Sequence, residues 1–108
     1  WLPEEWANGI NIGGLLTPDS KADLVRPRAM RQKLEAKFGS VPADNEPELL
    51  FHSGGEGESF ACLRRTTDQI TEIGLELLRE EDPDLFALVF RGVDLASHQA
   101  WRFQDPVW

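Results

Sequence analysis

Apolar residues recur every three or four positions in two parts of the chain, and this spacing predicts two amphipathic helices. The longer one is expected over residues 58–81, with Ser59 as a suitable capping residue. The shorter one is expected over residues 27–38, because Pro27 suits the first turn of a helix and Gly39 suits its end. Each helix should bury its apolar stripe and leave its charged face in solvent.

Two other apolar patterns predict strands. Residues 85–90 are consecutively apolar between Pro83 and Gly92, which is typical of a strand that is buried on both faces in a parallel sheet. Residues 10–12 alternate apolar and polar, which predicts a short strand. The expected fold class is therefore α/β: a partial parallel-type sheet, with strands near 10–12 and 85–90, flanked by helices near 27–38 and 58–81.

The length of 108 residues predicts one small α/β domain or a fragment of one, residues 1–108. Residues 40–57 carry Pro42, Pro47 and a glycine pair, and they predict a long loop with room for only a short strand. Such a loop is long for a compact domain, so a lid or a substrate-facing insertion of a larger enzyme is a plausible role.

The expected strand at residues 85–90 leads directly to a carboxylate and an imidazole. In open α/β sheets, ligand sites lie beyond the carboxyl ends of the strands, where Asp94 follows. If the chain turns helical there, His98 lies one turn further along the same face, and the two side chains could hold a divalent, zinc-like ion. The alternative is a helix cap at Asp94 and an ordinary histidine at His98.

The same region resembles a known family. Residues 83–106 are similar to a string of the alkaline phosphatase superfamily, in the type I phosphodiesterase and predicted phosphohydrolase/phosphomutase branch. The shared pattern is "D-L-F, apolar strand, G-x-D-x-x-x-H, aromatic pair, D-P", with Trp101 and Phe103 as the aromatic pair. Residues 8–18 also resemble the branch's "N-G-x-x-x-x-G-x-L-T-P" stretch. The resemblance implies a middle segment of a larger enzyme with an alkaline-phosphatase-like fold.

By this resemblance, Asp94 and His98 match an Asp and a His that bind one metal of a two-metal centre. Zinc is the favoured ion, with manganese or magnesium as alternatives, and the implied reaction is hydrolysis of a small-molecule phosphoric ester by a phosphatase or phosphodiesterase. No residue matches the family's Ser/Thr nucleophile; Thr17 lies in the "L-T-P" stretch, which is a different position. With two ligands and no nucleophile, the chain alone should bind metal weakly and show no turnover.

Charge and composition narrow the choice of partners. The net charge of −8 argues against nucleic-acid backbones and anionic membrane surfaces, which bind clustered Lys and Arg. No signal peptide or membrane-spanning run is recognisable, which favours a cytoplasmic location unless the parent protein carries a signal peptide. Large apolar residues near the end of the chain predict exposed apolar surface and self-association through aromatic side chains: Trp101, Phe103, Val107 and Trp108.

Several other residues are weaker candidates. The single cysteine, Cys62, is interpreted as a small semi-buried residue rather than a nucleophile, and His52 as an exposed loop histidine. The glycine pair Gly13-Gly14 could cradle a phosphate, but no lysine-serine pair follows it, so a backbone kink is preferred. The competing functional class is a non-enzymatic acidic α/β interaction module or a substrate-recognition insert, in which the Asp-His match is accidental.

Overall fold

A computed structural model of the chain describes residues 8–13, 23–42, 55–101 and residue 104. The chain divides into two compact units, residues 1–46 and 47–108. The described part is mostly helical. In chain order its elements are β1 (Asn11–Ile12), β2 (Val25–Arg26), α1 (Arg28–Phe38), α2 (Glu56–Glu80) and α3 (Gly92–Ala100).

In the part of the first unit that the structure describes, there are one antiparallel strand pair and one helix. Asn11 pairs with Arg26 and Ile12 with Val25, and the amide of Gly13 extends the pairing by donating to the carbonyl of Leu24 at 2.7 Å. Its buried apolar residues among those described lie in β2 and directly before it, in α1, and in the segment after α1: Leu24, Val25, Leu34 and Val41. The short sheet is thus held against α1 by a few fully buried side chains.

Helix α1 corresponds to the helix expected over residues 27–38. Pro27 is its N-cap, with the extended backbone that proline favours before a first helical turn. Gly39 ends it with a φ of +80°, a conformation that glycine adopts without strain, and its amide donates to the carbonyl of Glu35. The end of this helix is therefore encoded locally.

Arg28 and Arg31 of α1 form ion pairs with acidic residues of the first unit. The carboxylate of Asp23 forms ion pairs with Arg26 and Arg28, and Arg31 lies 3.5 Å from its second oxygen. Arg31 also donates to Glu35 at 2.7 Å, one turn along the helix. The hydrogen bond from Arg26, with the positive charges of Arg26 and Arg28, lowers the pKa of Asp23 below its usual value. These contacts link β2 to the first turn of α1.

The lowered pKa of Asp23 predicts an acid-labile first unit. A carboxyl group whose pKa is lower in the folded state stabilises that state above the unfolded pKa of about 3.9, and this contribution is lost as the pH falls through the folded value. The protection factors of the amides in β2 and α1, which correct for the slower intrinsic exchange in acid, should therefore fall in this pH range. Asp23→Asn should remove that part of the pH dependence, and high salt should reduce it because the pairs are partly exposed. An unchanged acid response in Asp23→Asn would contradict this account.

Helix α2 corresponds to the long helix expected over residues 58–81, but it begins two residues earlier. Its N-cap is Gly55, and Ser59 is not a cap: it is fully buried in the first turn and donates its hydroxyl to the Gly55 carbonyl at 2.6 Å. No helix in the described residues has both the length and the apolar character needed to cross a membrane. The buried positions of α2 recur at helical spacing: Ser59, Cys62, Leu63, Thr66, Ile73 and Gly74.

The expected α/β fold with a parallel-type sheet is wrong. The strand near 10–12 exists as Asn11–Ile12, but it pairs antiparallel with Val25–Arg26, where no strand was expected. Residues 85–90 form no strand at all. A parallel sheet requires neighbouring strands, and the described residues contain only the β1–β2 pair. An apolar run indicates that a segment tends to be buried, but it does not specify which element packs against it.

Residues 85–90 instead form an apolar segment that lies with one side on α2. Gly74 makes this close approach possible, because a Cβ at this position would lie 2.8 Å from Cδ2 of Leu88 and 3.5 Å from Cζ of Phe86. The outward side chains are far more exposed, with Leu85 at 87% and Val89 at 76%, against 37% for Phe86 and 39% for Leu88. Both faces of this segment were expected to be buried. In the structure one face is partly buried and the other is exposed.

Candidate functional site

The candidate site lies on α3, and α2 positions it. Gly92 begins α3 and faces α2 closely: a Cβ there would lie 3.1 Å from Oγ1 of Thr67 and 4.0 Å from Cδ1 of Leu63. One turn later Leu95 is 4% exposed and is the buried residue of α3. A helix of nine residues is too short to be stable alone, so these contacts determine where its side chains stand.

Asp94 and His98 converge on the exposed side of α3, as their spacing of four residues predicts. Nε2 of His98 lies 3.3 Å from Oδ1 of Asp94. The side chain of Asp94 is 59% exposed and that of His98 is 74% exposed, so a ligand in solvent can reach both. Their role as metal ligands remains a prediction.

The separation of these two atoms fits a shared cation. In a tetrahedral zinc site with bonds of about 2.0–2.1 Å to nitrogen and oxygen, two ligand atoms stand about 3.3–3.4 Å apart. Carboxylate oxygen and imidazole nitrogen are both common zinc ligands. Within the described residues, no third His, Cys, Asp or Glu joins them in a cluster. The pair therefore forms part of a site, and further ligands or water would complete the coordination.

The alternative role of Asp94 as a helix cap is not what the structure has. The N-cap of α3 is Arg91, with no capping hydrogen bond from a side chain, and Asp94 lies inside the first turn. An acid in the first turn and a protonated histidine in the last turn both interact favourably with the helix dipole. The same 3.3 Å contact is therefore also a simple exposed ion pair, which contributes little stability.

An open groove of about 290 Å³ lies beside the start of α3. Phe60, Leu63 and Thr67 form its α2 wall, and Phe90, Gly92 and Val93 form the opposite wall. Arg64 and Asp68 also line it and lie 3.9 Å apart as an exposed i, i+4 pair. Sequence reasoning identified the stripe of α2 but missed this groove, because the groove exists only where residues 90–93 cross that helix. The four-residue spacing of Arg64 and Asp68 was a local sequence signal for the charged pair at the edge of this groove.

Two of the remaining sequence candidates lie within the described residues, and neither belongs to the site. Cys62 is a free thiol that is 4% exposed, which fits a packing role. Gly13 belongs to the strand pairing of the first unit. The other candidates lie outside the described residues: Gly14, Thr17 and His52.

Comparisons with known proteins are negative for this chain. No family model, no curated protein and no solved structure matches it.

Proposed function

We propose that this chain is a segment of a metal-dependent phosphoric-ester hydrolase in which Asp94 and His98 bind one ion of a two-metal centre. The observation that carries the proposal is the 3.3 Å separation of Nε2 of His98 from Oδ1 of Asp94, on an exposed helical face. This separation suits two ligands of one zinc-like ion. The resemblance of residues 83–106 to the alkaline phosphatase superfamily supplies the reaction class.

In this proposal the chain's own residues bind and orient. Asp94 contributes a carboxylate oxygen and His98 a neutral imidazole nitrogen, and α3 holds them one turn apart. A metal bound there would supply Lewis acidity toward an ester of phosphoric acid. Leu95, buried between the two ligand positions in sequence, anchors α3 and so sets the direction in which both side chains project.

A second candidate function is supported by the exposed apolar surface. Leu85, Val89 and Trp101 are at least 65% exposed, which is unusual for large apolar side chains close together in sequence. A non-enzymatic, acidic interaction module would use such residues for a protein partner, and Asp94 and His98 would then be an incidental ion pair. The described part of this module would be mostly helical with one antiparallel strand pair, because the α/β version is excluded by the fold.

Zinc titration tests the proposal. Calorimetric titration of the purified chain with zinc alone should give a weak, saturable isotherm of about one equivalent, because two protein ligands supply half of a tetrahedral shell. His98→Ala and Asp94→Asn should each reduce the affinity by about tenfold or more, since each removes one of the two ligands. Circular dichroism of both variants should match that of the unmodified chain, because both side chains are exposed.

Two matched control variants test whether zinc binds at Asp94 and His98 rather than at exposed carboxylates in general or at the other histidine. Asp68→Asn removes an exposed helical carboxylate of α2, and His52→Ala removes the chain's second histidine. Both should retain the isotherm. If zinc binding is absent, or if His52→Ala abolishes it while His98→Ala does not, the proposed metal role is wrong.

The chain alone should not hydrolyse phosphoric esters. No nucleophile has been assigned in it, and a two-metal reaction needs ligands beyond the proposed pair. The expected result is no release of nitrophenol from bis(4-nitrophenyl) phosphate with zinc, manganese or magnesium. Turnover that disappears in His98→Ala would show that the chain carries a complete site.

A further inference from the structure

We infer that Asn8, which Gly9 follows, is a site of spontaneous deamidation, where the side-chain amide becomes a carboxylate and part of the product carries an isoaspartyl linkage. The site is independent of the proposed metal centre, because it lies in the first unit and involves neither Asp94 nor His98. Three observations carry it: the residue pair itself, its exposure, and its position outside the helices and strands.

The sequence contains three asparagines, and Asn8 is the only one that a glycine follows. The next residue is Ile12 after Asn11 and a glutamate after Asn45. In deamidation the backbone nitrogen of the next residue must approach the asparagine side chain, and a Cβ on that next residue hinders the approach. Glycine has no Cβ and the widest range of backbone conformations, so the pair Asn8-Gly9 is the most reactive of the three.

The reaction is a ring closure followed by hydrolysis. The amide nitrogen of Gly9 loses its proton to a base in solvent and attacks Cγ of Asn8. A bond forms between these two atoms, and the bond from Cγ to Nδ2 breaks as ammonia leaves with a proton taken from solvent. Water then opens the resulting succinimide: cleavage of the ring bond to Cγ gives an aspartate, and cleavage of the ring bond to the main-chain carbonyl carbon gives an isoaspartate.

The structure leaves both residues accessible to this reaction. Asn8 lies in a turn, Asn8 and Gly9 are both exposed, and neither belongs to a helix or a strand. Ring closure requires rotation of the backbone at Asn8, and a loop residue can rotate without breaking a hydrogen-bonded ladder. Asn11 is the contrast, because it is half-buried in β1 and pairs with Arg26. The fold should therefore protect Asn11 and leave Asn8 reactive.

Deamidation changes the charge and the main chain at one point. Replacement of a neutral amide by a carboxylate takes the net charge from −8 to −9. The isoaspartate product also adds one carbon to the main chain at residue 8, which lies outside the β1–β2 pair, so the pairing of Asn11 with Arg26 should remain. Isoaspartate is the group that protein isoaspartyl methyltransferases methylate with S-adenosylmethionine. The deamidated chain should therefore be a substrate for this class of enzyme.

The test is incubation of the purified chain in mildly alkaline buffer, followed by tandem mass spectrometry that locates the gain of about one dalton from amide to acid. We expect this gain at residue 8 and not at residue 11. Methyl transfer from S-adenosylmethionine by a protein isoaspartyl methyltransferase should increase in parallel. Asn8→Gln should abolish both signals, because glutamine would have to close a larger ring. Asn11→Gln is the matched control and should retain both.

Two further comparisons separate the effect of Gly9 from that of the fold. Gly9→Ala should slow the mass gain at Asn8 by about tenfold or more, because a Cβ hinders the attack, and its circular dichroism should match that of the unmodified chain. In guanidinium chloride the rate at Asn8 should stay within about threefold of the rate in the folded chain, because the folded chain already exposes this residue.

Other outcomes overturn the inference. If no mass gain occurs at Asn8, or if the rate in guanidinium chloride exceeds the folded rate by more than about threefold, the fold protects this residue. A mass gain that is equally fast at Asn11, or equally fast in Gly9→Ala, shows that the Asn8-Gly9 pair is not the cause. A mass gain without methyl transfer shows direct hydrolysis of the amide, with no succinimide.

Discussion

Replacing Leu95 with alanine should detach α3 from α2 and abolish the zinc isotherm, although Leu95 is not itself a proposed ligand. Leu95 is 4% exposed, and truncation of a buried leucine to alanine costs about 2–5 kcal/mol. The nine residues of α3 cannot remain helical without that anchor, because isolated helices shorter than about 12–15 residues are marginal in water. Amide hydrogen exchange should lose its protection throughout α3, while the protection of α1 remains.

The matched control is Val93→Ala on the same helix. Val93 is 79% exposed, so its truncation should change the free energy of unfolding by less than about 0.5 kcal/mol. Its zinc isotherm should be retained. If Leu95→Ala keeps both the protection of α3 and the zinc isotherm, then α3 is not held by this contact. The positions of Asp94 and His98 would then need another explanation.

Gly74→Leu should displace residues 86–88 from α2. The position offers no room: even a Cβ would lie 2.8 Å from Leu88, and a leucine would overlap both Leu88 and Phe86. Overpacking of this kind costs about 1–3 kcal/mol. It is opposed by about 1 kcal/mol of better helix propensity, since leucine is a stronger helix former than glycine. A leucine is a sharper probe than an alanine, because Leu88 alone could rotate away from a single methyl group.

Gly57→Leu measures the effect of helix propensity on stability without the overpacking. Gly57 also lies in α2, and apart from its chain neighbours and the adjacent helix backbone, none of the described residues has an atom within 4 Å of a Cβ built there. We expect Gly57→Leu to raise the stability of α2 by up to about 1 kcal/mol. Gly74→Leu should lower the stability of the second unit, with new solvent accessibility at residues 86–88 by hydroxyl-radical labelling. Equal effects of the two substitutions would show that the segment does not pack on Gly74.

Local sequence determined helices α1 and α2, and it fixed the Asp94/His98 geometry on condition that residues 92–100 are helical. Helical spacing and the ends of the helices are encoded within a few residues, as the positive φ of Gly39 at the end of α1 shows. A spacing of four residues brings two side chains together on any helix, so the 3.3 Å contact followed once residues 92–100 were helical. Ser59 was misassigned as a cap because α2 begins at Glu56, and helix starts are less strongly marked than helix interiors.

Local sequence could not determine the sheet. Residues 85–90 have the composition of a doubly buried strand, yet a strand exists only where a second segment pairs with it. The partner of Asn11–Ile12 is the pair Val25–Arg26, thirteen or more residues away, where the sequence pattern predicted no strand. The groove beside α3 was missed for the same reason, since residues 90–93 and α2 are brought together only by packing.

The sequence by itself determined helices α1 and α2 to within about two residues and the end of α1, and its four-residue spacing brings Asp94 and His98 together once α3 is helical. Each of these depends on interactions between residues no more than about four positions apart. Only the tertiary structure decided that residues 85–90 lie along α2 at Gly74 with their outer row exposed, and that β1 pairs antiparallel with β2. Those outcomes depend on which distant surfaces pack together. An apolar pattern indicates that a segment tends to be buried, but it does not identify the segment that packs against it.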